Sequence, residues 1–258
     1  MLAVACAGYA QNSESSDGTL SVGAFYWLNP TNPVMRSGRA ASSTSDPANL
    51  DYPGTSKPSP GVVVSLPAGH ENTLRLSYFQ TSGHGDLVAG QNLAFFATGY
   101  SAGDYLNTRY KIQNVKLSLD YLSWPFPTEN ARLRVKTLWE LQYTTMRTEI
   151  DAPSKETADN PQSAFAAGSN WFIYPSLGMG VEYQAARNLR FEAKGSGFAL
   201  PHRSALGDTE AIAAYRHGQF EIFGGAKLFH FKTSPRQEQY VHATLMGTYA
   251  GIRWYPKY

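Results

Sequence analysis

From Arg132 to about Glu149, side-chain character alternates residue by residue over a longer run than an ordinary strand contains. Leu133, Val135, Thr137, Trp139, Leu141 and Tyr143 fall on one face, and Arg132, Arg134, Lys136, Leu138, Glu140 and Gln142 on the other. A period of two marks extended backbone, whose successive side chains point to opposite sides of a sheet. Globular strands rarely exceed ~10 residues. A longer alternating run suits a tilted strand that crosses a bilayer and continues past it.

The same reading predicts nine further strands: Thr19 to Leu28, Gly61 to Leu66, Asn72 to Thr81, Arg109 to Leu122, Trp171 to Gln184, Leu189 to Ala199, Thr209 to Arg216, Gln219 to Lys232, and Tyr240 to about Tyr255. Their connections alternate in length. PAGHE, SWPFPTEN, AARN and the His217-Gly218 turn are short; Asn29 to Pro60, Ser82 to Gly103, Asp151 to Gly168 and Leu200 to Asp208 are longer. Short periplasmic turns alternating with longer external loops are the pattern of outer-membrane barrels, and an even strand count returns both termini to the periplasm. Within the second long connection, NLAFFATGY reads as a small extra strand or a constriction folded against the barrel.

The expected fold is therefore all-β: a closed antiparallel transmembrane β-barrel of about ten strands. Its rival is a secreted β-sandwich, which would show the same alternation. Strand length, the alternation of connections and aromatics near strand ends favour the barrel. The candidate girdle residues are Tyr26, Trp27, Tyr121, Trp124, Tyr143, Trp171, Tyr183, Tyr215, Tyr240, Trp254 and Tyr255. No stretch approaches the ~18 apolar residues of a transmembrane helix. The charge is nearly balanced, 22 Lys and Arg against 20 Asp and Glu, with no basic run suited to nucleic acid.

Leu2 to Ala10, LAVACAGYA, reads as the tail of a signal-peptide apolar region with a small-residue cleavage site before Gln11. Residues 1–10 are thus expected to be removed and 11–258 to form one domain. Cys6 lies in that segment, and Ala3 stands where a lipidation signal needs Leu, so the mature chain is expected to carry no thiol.

The C-terminal YAGIRWYPKY, with Gly251, Trp254, Tyr255 and the terminal Tyr258, resembles the last-strand signal of bacterial outer-membrane proteins. Pro256 departs from that pattern and leaves open whether Trp254 or Tyr255 faces lipid. From Gly18 to Tyr258 the chain resembles the broad family of uncharacterised outer-membrane β-barrel proteins, in architecture and terminal signal only. That resemblance implies residence in the bacterial outer membrane, contact with its lipid, and recognition of the last strand by the barrel assembly machinery.

If the apolar face meets lipid, the opposite positions converge in the lumen: Arg75, Lys116, Asp120, Arg134, Lys136, Glu140, Glu182, Arg190, Glu192, Lys194, Glu221 and Lys227. Ten strands enclose little more than their own side chains, so these groups are expected to meet as ion pairs in a narrow, charge-filled lumen. The function this implies is a structural or surface-interacting barrel. The alternatives are a small passive or gated pore, and a rim hydrolase or lipid-modifying enzyme.

For the enzyme reading the candidates are His84 with Asp86, His202 with Asp208, and His230 with His242 beside Thr244. None has a recognisable nucleophile and orienting group, and loop histidines are more often solvated. The histidines show no metal-ligand spacing, and no phosphate-binding loop is present, so no metal or cofactor is implied.

Overall fold

The computed structural model describes residues 18–29, 33–37, 49–52, 56–69, 71–95, 98–124, 132–153, 165–200, 204–234 and 239–256. The leader-like segment with Cys6, His202, Pro125, Pro127 and Tyr258 lie outside them.

The described strands are β1 (Ser21–Leu28), β2 (Val34–Ser37), β3 (Asn49–Asp51), β4 (Ser59–Pro67), β5 (Thr73–Val88), β6 (Leu93–Phe95), β7 (Thr98–Tyr100), β8 (Tyr105–Trp124), β9 (Leu133–Asp151), β10 (Phe165–Ala186), β11 (Leu189–Leu200), β12 (Ser204–His217), β13 (Phe220–Lys232) and β14 (Gln239–Trp254). Twelve form one sheet. Leaving out β2 and β3, the other ten run antiparallel in the order β1-β4-β5-β8-β9-β10-β11-β12-β13-β14, and β14 pairs back onto β1. The chain is a closed ten-stranded antiparallel β-barrel. Closure gives each of these ten strands a ladder partner on both sides over at least part of its length, as a strand sheet in lipid requires.

The outward face forms an apolar belt. Its rows run from strand to strand through the ladders: Val64, Leu76, Leu117, Leu141 and Pro175 in one, and Leu66, Leu74, Leu119, Trp139 and Leu177 in the next. Trp139 is 56% exposed and Ile222 63%. Tyr26, Tyr121, Trp124, Tyr143, Trp171, Tyr183, Tyr215 and Trp254 are also exposed, as expected of a girdle. Trp27, Tyr240 and Tyr255 are corrections, being buried. Trp27 shares the inward phase of Gly23 and Phe25, and Tyr255 turns in beside Arg253 while Trp254 faces out. That settles which of Trp254 and Tyr255 points to the belt.

Several strands run further than expected toward the end of the barrel that carries the longer connections, here called the loop end. β5 continues through Val88 where a loop from Ser82 was expected, β8 starts at Tyr105, β10 at Phe165 and β12 at Ser204. The physical reason is an inversion of phase. On β8, Val115, Leu117 and Tyr121 face out beside inward Lys116 and Asp120, whereas higher up Leu106, Tyr110 and Ile112 are buried inside and Arg109 and Lys111 are exposed. β9 repeats this, with Met146 and Ile150 buried and Arg147 exposed. A period read on a constant apolar face ends where the strand leaves the belt, although its ladder does not.

Two of the long connections are also structured. β2 and β3 extend the ladder beside the loop end of β14, and β6 and β7 pair as a small hairpin. Leu93, Phe95 and Tyr100 of that hairpin are buried, and the Tyr100 hydroxyl donates to the Ile150 carbonyl at 3.4 Å. The connection between β11 and β12 shortens to residues 201–203.

At the opposite, turn end, Gly218 takes φ 60° in the tight β12–β13 turn, a conformation that favours glycine. The wall is uneven in height. β10 pairs with β9 from Phe165 to Tyr183, but with β11 only from Leu177 opposite Gly197 down to the turn.

Candidate functional site: the barrel lumen

The inward side chains form two layers. The lower, nearer the turn end, is ionic. The Arg253 guanidinium pairs with Glu221 at 2.7 Å, and Tyr255 donates to the same carboxylate at 3.2 Å. Arg190 reaches both oxygens of Glu221 at 2.9 and 3.0 Å, then Glu192 at 3.0 Å and Glu182 at 3.5 Å. Lys136 holds Glu182 at 2.7 Å; Lys194 bridges Glu192 and Asp120, each at 2.7 Å; Arg75 meets Asp120 at 3.1 Å. Arg134 reaches Glu71 in the β4–β5 turn at 3.1 Å.

A second cluster lies higher. Lys116 contacts Asp208 at 2.8 Å and Glu140 at 3.5 Å, while Lys227 contacts Asp208 and, at 3.7 Å, Glu210. Ser196 donates to Glu140, and Gln142 does so at 3.0 Å.

All twelve residues assigned to the lumen from sequence point inward and take part in these contacts. Ten are buried; Arg75 and Lys116 keep 12% and 11% of their side-chain area exposed. Sequence reasoning missed Asp208, Glu210 and Arg253. Asp208 was expected in a loop beside His202, but β12 begins at Ser204, so its carboxylate lies in the lumen between two lysines. The signal was obscured because the outward partners on β12, Ala211 and Ala213, are small rather than apolar and large. Arg253 sits on the strand interrupted by Pro256, where the phase was ambiguous.

Among the described residues, eight cations and eight carboxylates make these contacts, counting Glu71: Arg75, Lys116, Arg134, Lys136, Arg190, Lys194, Lys227 and Arg253 with Glu71, Asp120, Glu140, Glu182, Glu192, Asp208, Glu210 and Glu221. Opposite signs are interleaved across strands, and Arg216, on the inward phase opposite Glu221, sets its guanidinium 4.0 Å from the Tyr255 ring. A ring of one sign, which would select ions, is not formed by these residues.

Above it the lumen is aromatic. Trp27 packs edge-on to Phe79 at 5.2 Å between centroids, Phe79 on Phe229 at 5.3 Å, Phe229 beside Phe231 at 5.7 Å, and Phe231 against Phe172 at 5.2 Å. Tyr174 and Phe198 complete the string at 5.1 and 5.5 Å. These rings come from β1, β5, β13, β10 and β11, so the string crosses the barrel from wall to wall. Lys227 lies 5.9 Å from the Phe79 ring and joins the two layers. Between them remains a cavity of about 50 Å³, lined by Phe79, Arg75, Lys116, Glu210, Tyr249 and Arg253 among others. It has room for a few water molecules. Arg75 and Arg253 each have an Nε–H with no protein acceptor among the described residues, for which such water is suited.

The remaining candidates do not assemble a catalytic group. His84 and Asp86 are exposed on the outer surface of β5, opposite Arg109 and Asn107. His230 and His242 are neighbours on β13 and β14, with ring centroids 5.0 Å apart and His230 Nδ1 2.8 Å from the Thr244 hydroxyl. Both lie on the outward face. Among the described residues no group of three His, Cys, Asp or Glu is placed to hold a metal ion.

No protein-family model matches the chain, and no curated protein matches it either. Solved structures do. The outer membrane protease OmpT from Escherichia coli superposes with a TM-score of 0.62 at 9% identity, over 95% of this chain and 100% of that one. Ail, the attachment invasion locus protein of Yersinia pestis, gives 0.35 at 10% identity over 92% and 99% of the two chains. The toluene transporter TodX of Pseudomonas putida gives 0.33 at 9% identity over 94% and 90%. At these identities the likeness to OmpT concerns the fold alone, which is that of an outer-membrane barrel.

Proposed function

We propose that the chain is an integral protein of the bacterial outer membrane, with short turns and termini toward the periplasm, whose sealed lumen makes it a structural or surface-interacting component rather than an open pore. The membrane part of this reading rests on the exposed apolar belt. Leu117, Trp139, Leu141, Ile173, Leu177, Ile222 and Ile252 share one encircling surface, far larger than the apolar patches soluble proteins tolerate. Flanking tyrosines and tryptophans fit a headgroup boundary.

The observation that carries the functional part is the double seal. An interlocked ion-pair layer lies beneath a wall-to-wall aromatic string, with a cavity of about 50 Å³ where they meet. A hydrated solute cannot pass without both layers moving. The part of the barrel free to engage other molecules is then the tall rim of β8, β9 and β10 with the β6–β7 hairpin.

The test is made on the full chain. Expressed in an outer-membrane host, it is expected in the membrane fraction with a heat-sensitive shift in gel mobility. Reconstituted in planar bilayers it is expected to show no steady conductance. A stable open channel would overturn the sealed-lumen reading, and a soluble, unshifted protein would overturn the membrane reading.

A further inference from the structure

The barrel wall has a seam. Among the described residues, above the pair of Leu177 with Gly197, β10 continues through residues 165–176 with β9 as its ladder partner, and β11 continues through 198–200 with β12 as its own. The seam lies within the apolar belt. Ile173 and Leu177 flank it on the outside and are 51% and 59% exposed, and the Tyr143 and Trp171 rings, 6.4 Å apart, stand above it at the girdle.

The sequence cause is Pro175. The Gln184 amide donates to the Arg132 carbonyl at 2.7 Å, so even-numbered amides of β10 face β9, and the register to β9 runs unbroken from Tyr183 to Phe165. Odd-numbered amides therefore face β11. Pro175 has no N–H to donate on that side. Just below, the strands are forced together: a Cβ on Gly178 would collide with the Gly195 carbonyl oxygen. The wall is tight at Gly178 and loses its ladder one step higher.

What replaces the ladder is side-chain contact. Tyr174 and Phe198, one from each strand and both inward, lie 5.5 Å apart, and Tyr174 donates to the Lys232 carbonyl at 3.3 Å. On the outside a groove of about 670 Å³ runs along Leu119, Trp139, Leu141 and Leu177 and reaches Pro175 and Phe198. One apolar surface thus extends from the belt to the ring that closes the seam.

We propose that this seam is a lateral port for an acyl chain of a membrane lipid, with Tyr174 and Phe198 as the door between the bilayer and the aromatic string of the lumen. The occupant follows from position, because the groove opens on the belt and its lining is mostly hydrocarbon, with Glu140 and Ser176 as its polar members. The proposal rests on the membrane reading above. Opening the door costs ring contacts and the Tyr174–Lys232 hydrogen bond, but no ladder hydrogen bond, since none spans the strands there among the described residues.

The wild-type chain is reconstituted in vesicles of phosphatidylcholine carrying a photoactivatable diazirine in mid-acyl chain, irradiated, and mapped by peptide mass spectrometry. Adducts are expected on inward Tyr174 and Phe198 as well as on outward Ile173 and Leu177. The Pro175→Val variant, which supplies a donor at the seam, is expected to lose most of the inward adducts and keep the outward ones, with its gel-mobility shift confirming a closed barrel. Adducts confined to outward residues would overturn the port while leaving the membrane reading intact. Equal inward labelling in Pro175→Val would also overturn it. Adducts on neither face would overturn the membrane reading itself.

Discussion

Replacing Asp208 by Asn changes one atom and asks whether the lumen is dry. Asp208 accepts from Lys116 at 2.8 Å and from Lys227 on its other oxygen, while the next carboxylates stand at 3.5 Å for Lys116 and 3.7 Å for Lys227. Without the Asp208 charge, two ammonium groups share Glu140 and Glu210 at longer range. Removing one partner of a buried pair costs about 3 to 5 kcal/mol, because it strands a charge in a medium that solvates it poorly. A pair of charges in water at similar distance is worth only about 1 kcal/mol. The two environments therefore predict separable outcomes. The assay is reversible urea unfolding of the vesicle-inserted barrel, followed by tryptophan fluorescence. The expected loss for Asp208→Asn is about 3 kcal/mol or more, with part of it recovered by adding Lys227→Met, which removes one stranded cation. A loss below about 1 kcal/mol would mean that water fills the lumen around these groups, and the sealed-lumen reasoning would fail.

Phe229→Ala removes the ring that links the Phe79 and Phe231 sides of the aromatic string, and is expected to cost about 3 to 5 kcal/mol in the same assay. Combined with Phe79→Ala, which opens only the aromatic layer, it is expected to leave planar bilayers without steady conductance, because the ion-pair layer still closes the lumen. Leu117→Arg, placed on the belt between Leu76 and Leu141, is expected to cost about 2 to 4 kcal/mol if the face meets lipid, and almost nothing if it meets water. Tyr52 and Tyr100 lie in segments beyond the belt, and burial raises both phenols, Tyr100 to about 12 with help from Asp151. A raised pKa means that folding favours the neutral phenol. The Tyr100 contribution to stability is therefore whole below pH 10 and lost progressively between pH 10 and about 12, and that of Tyr52 persists to higher pH still, readable as delayed tyrosinate absorbance and late loss of structure near the β6–β7 hairpin.

The lumen-facing set was legible because alternation is local. Arg134, Lys136 and Glu140 declare their face by their neighbours Val135, Thr137, Trp139 and Leu141. Asp208 and Glu210 were illegible for the converse reason: Ala211 and Ala213 give the opposite face no apolar signature. The upper part of β8 was read as loop because the apolar residues change sides there. Met146 and Ile150 on β9, opposite in phase to Trp139 and Leu141, are the mark such a reading could use, since a strand that rises out of lipid exchanges its wet and dry faces.

By itself, then, the order of residues determined that the chain is extended, that the strands are long, which face of most of them is apolar, and how connections alternate, for all of these are set by side chains within a few positions of one another. Which charges meet was decided only by closure. Lys116 and Asp208 come from strands on different sides of the barrel, and Phe79 touches Phe229 across its lumen. Such contacts depend on strand number and stagger, which are properties of the closed sheet and not of any strand in it. The seam at Pro175 belongs to both: the missing donor is written in the sequence, but only the fold turns it toward β11, inside the belt, with a ring from each strand in the gap.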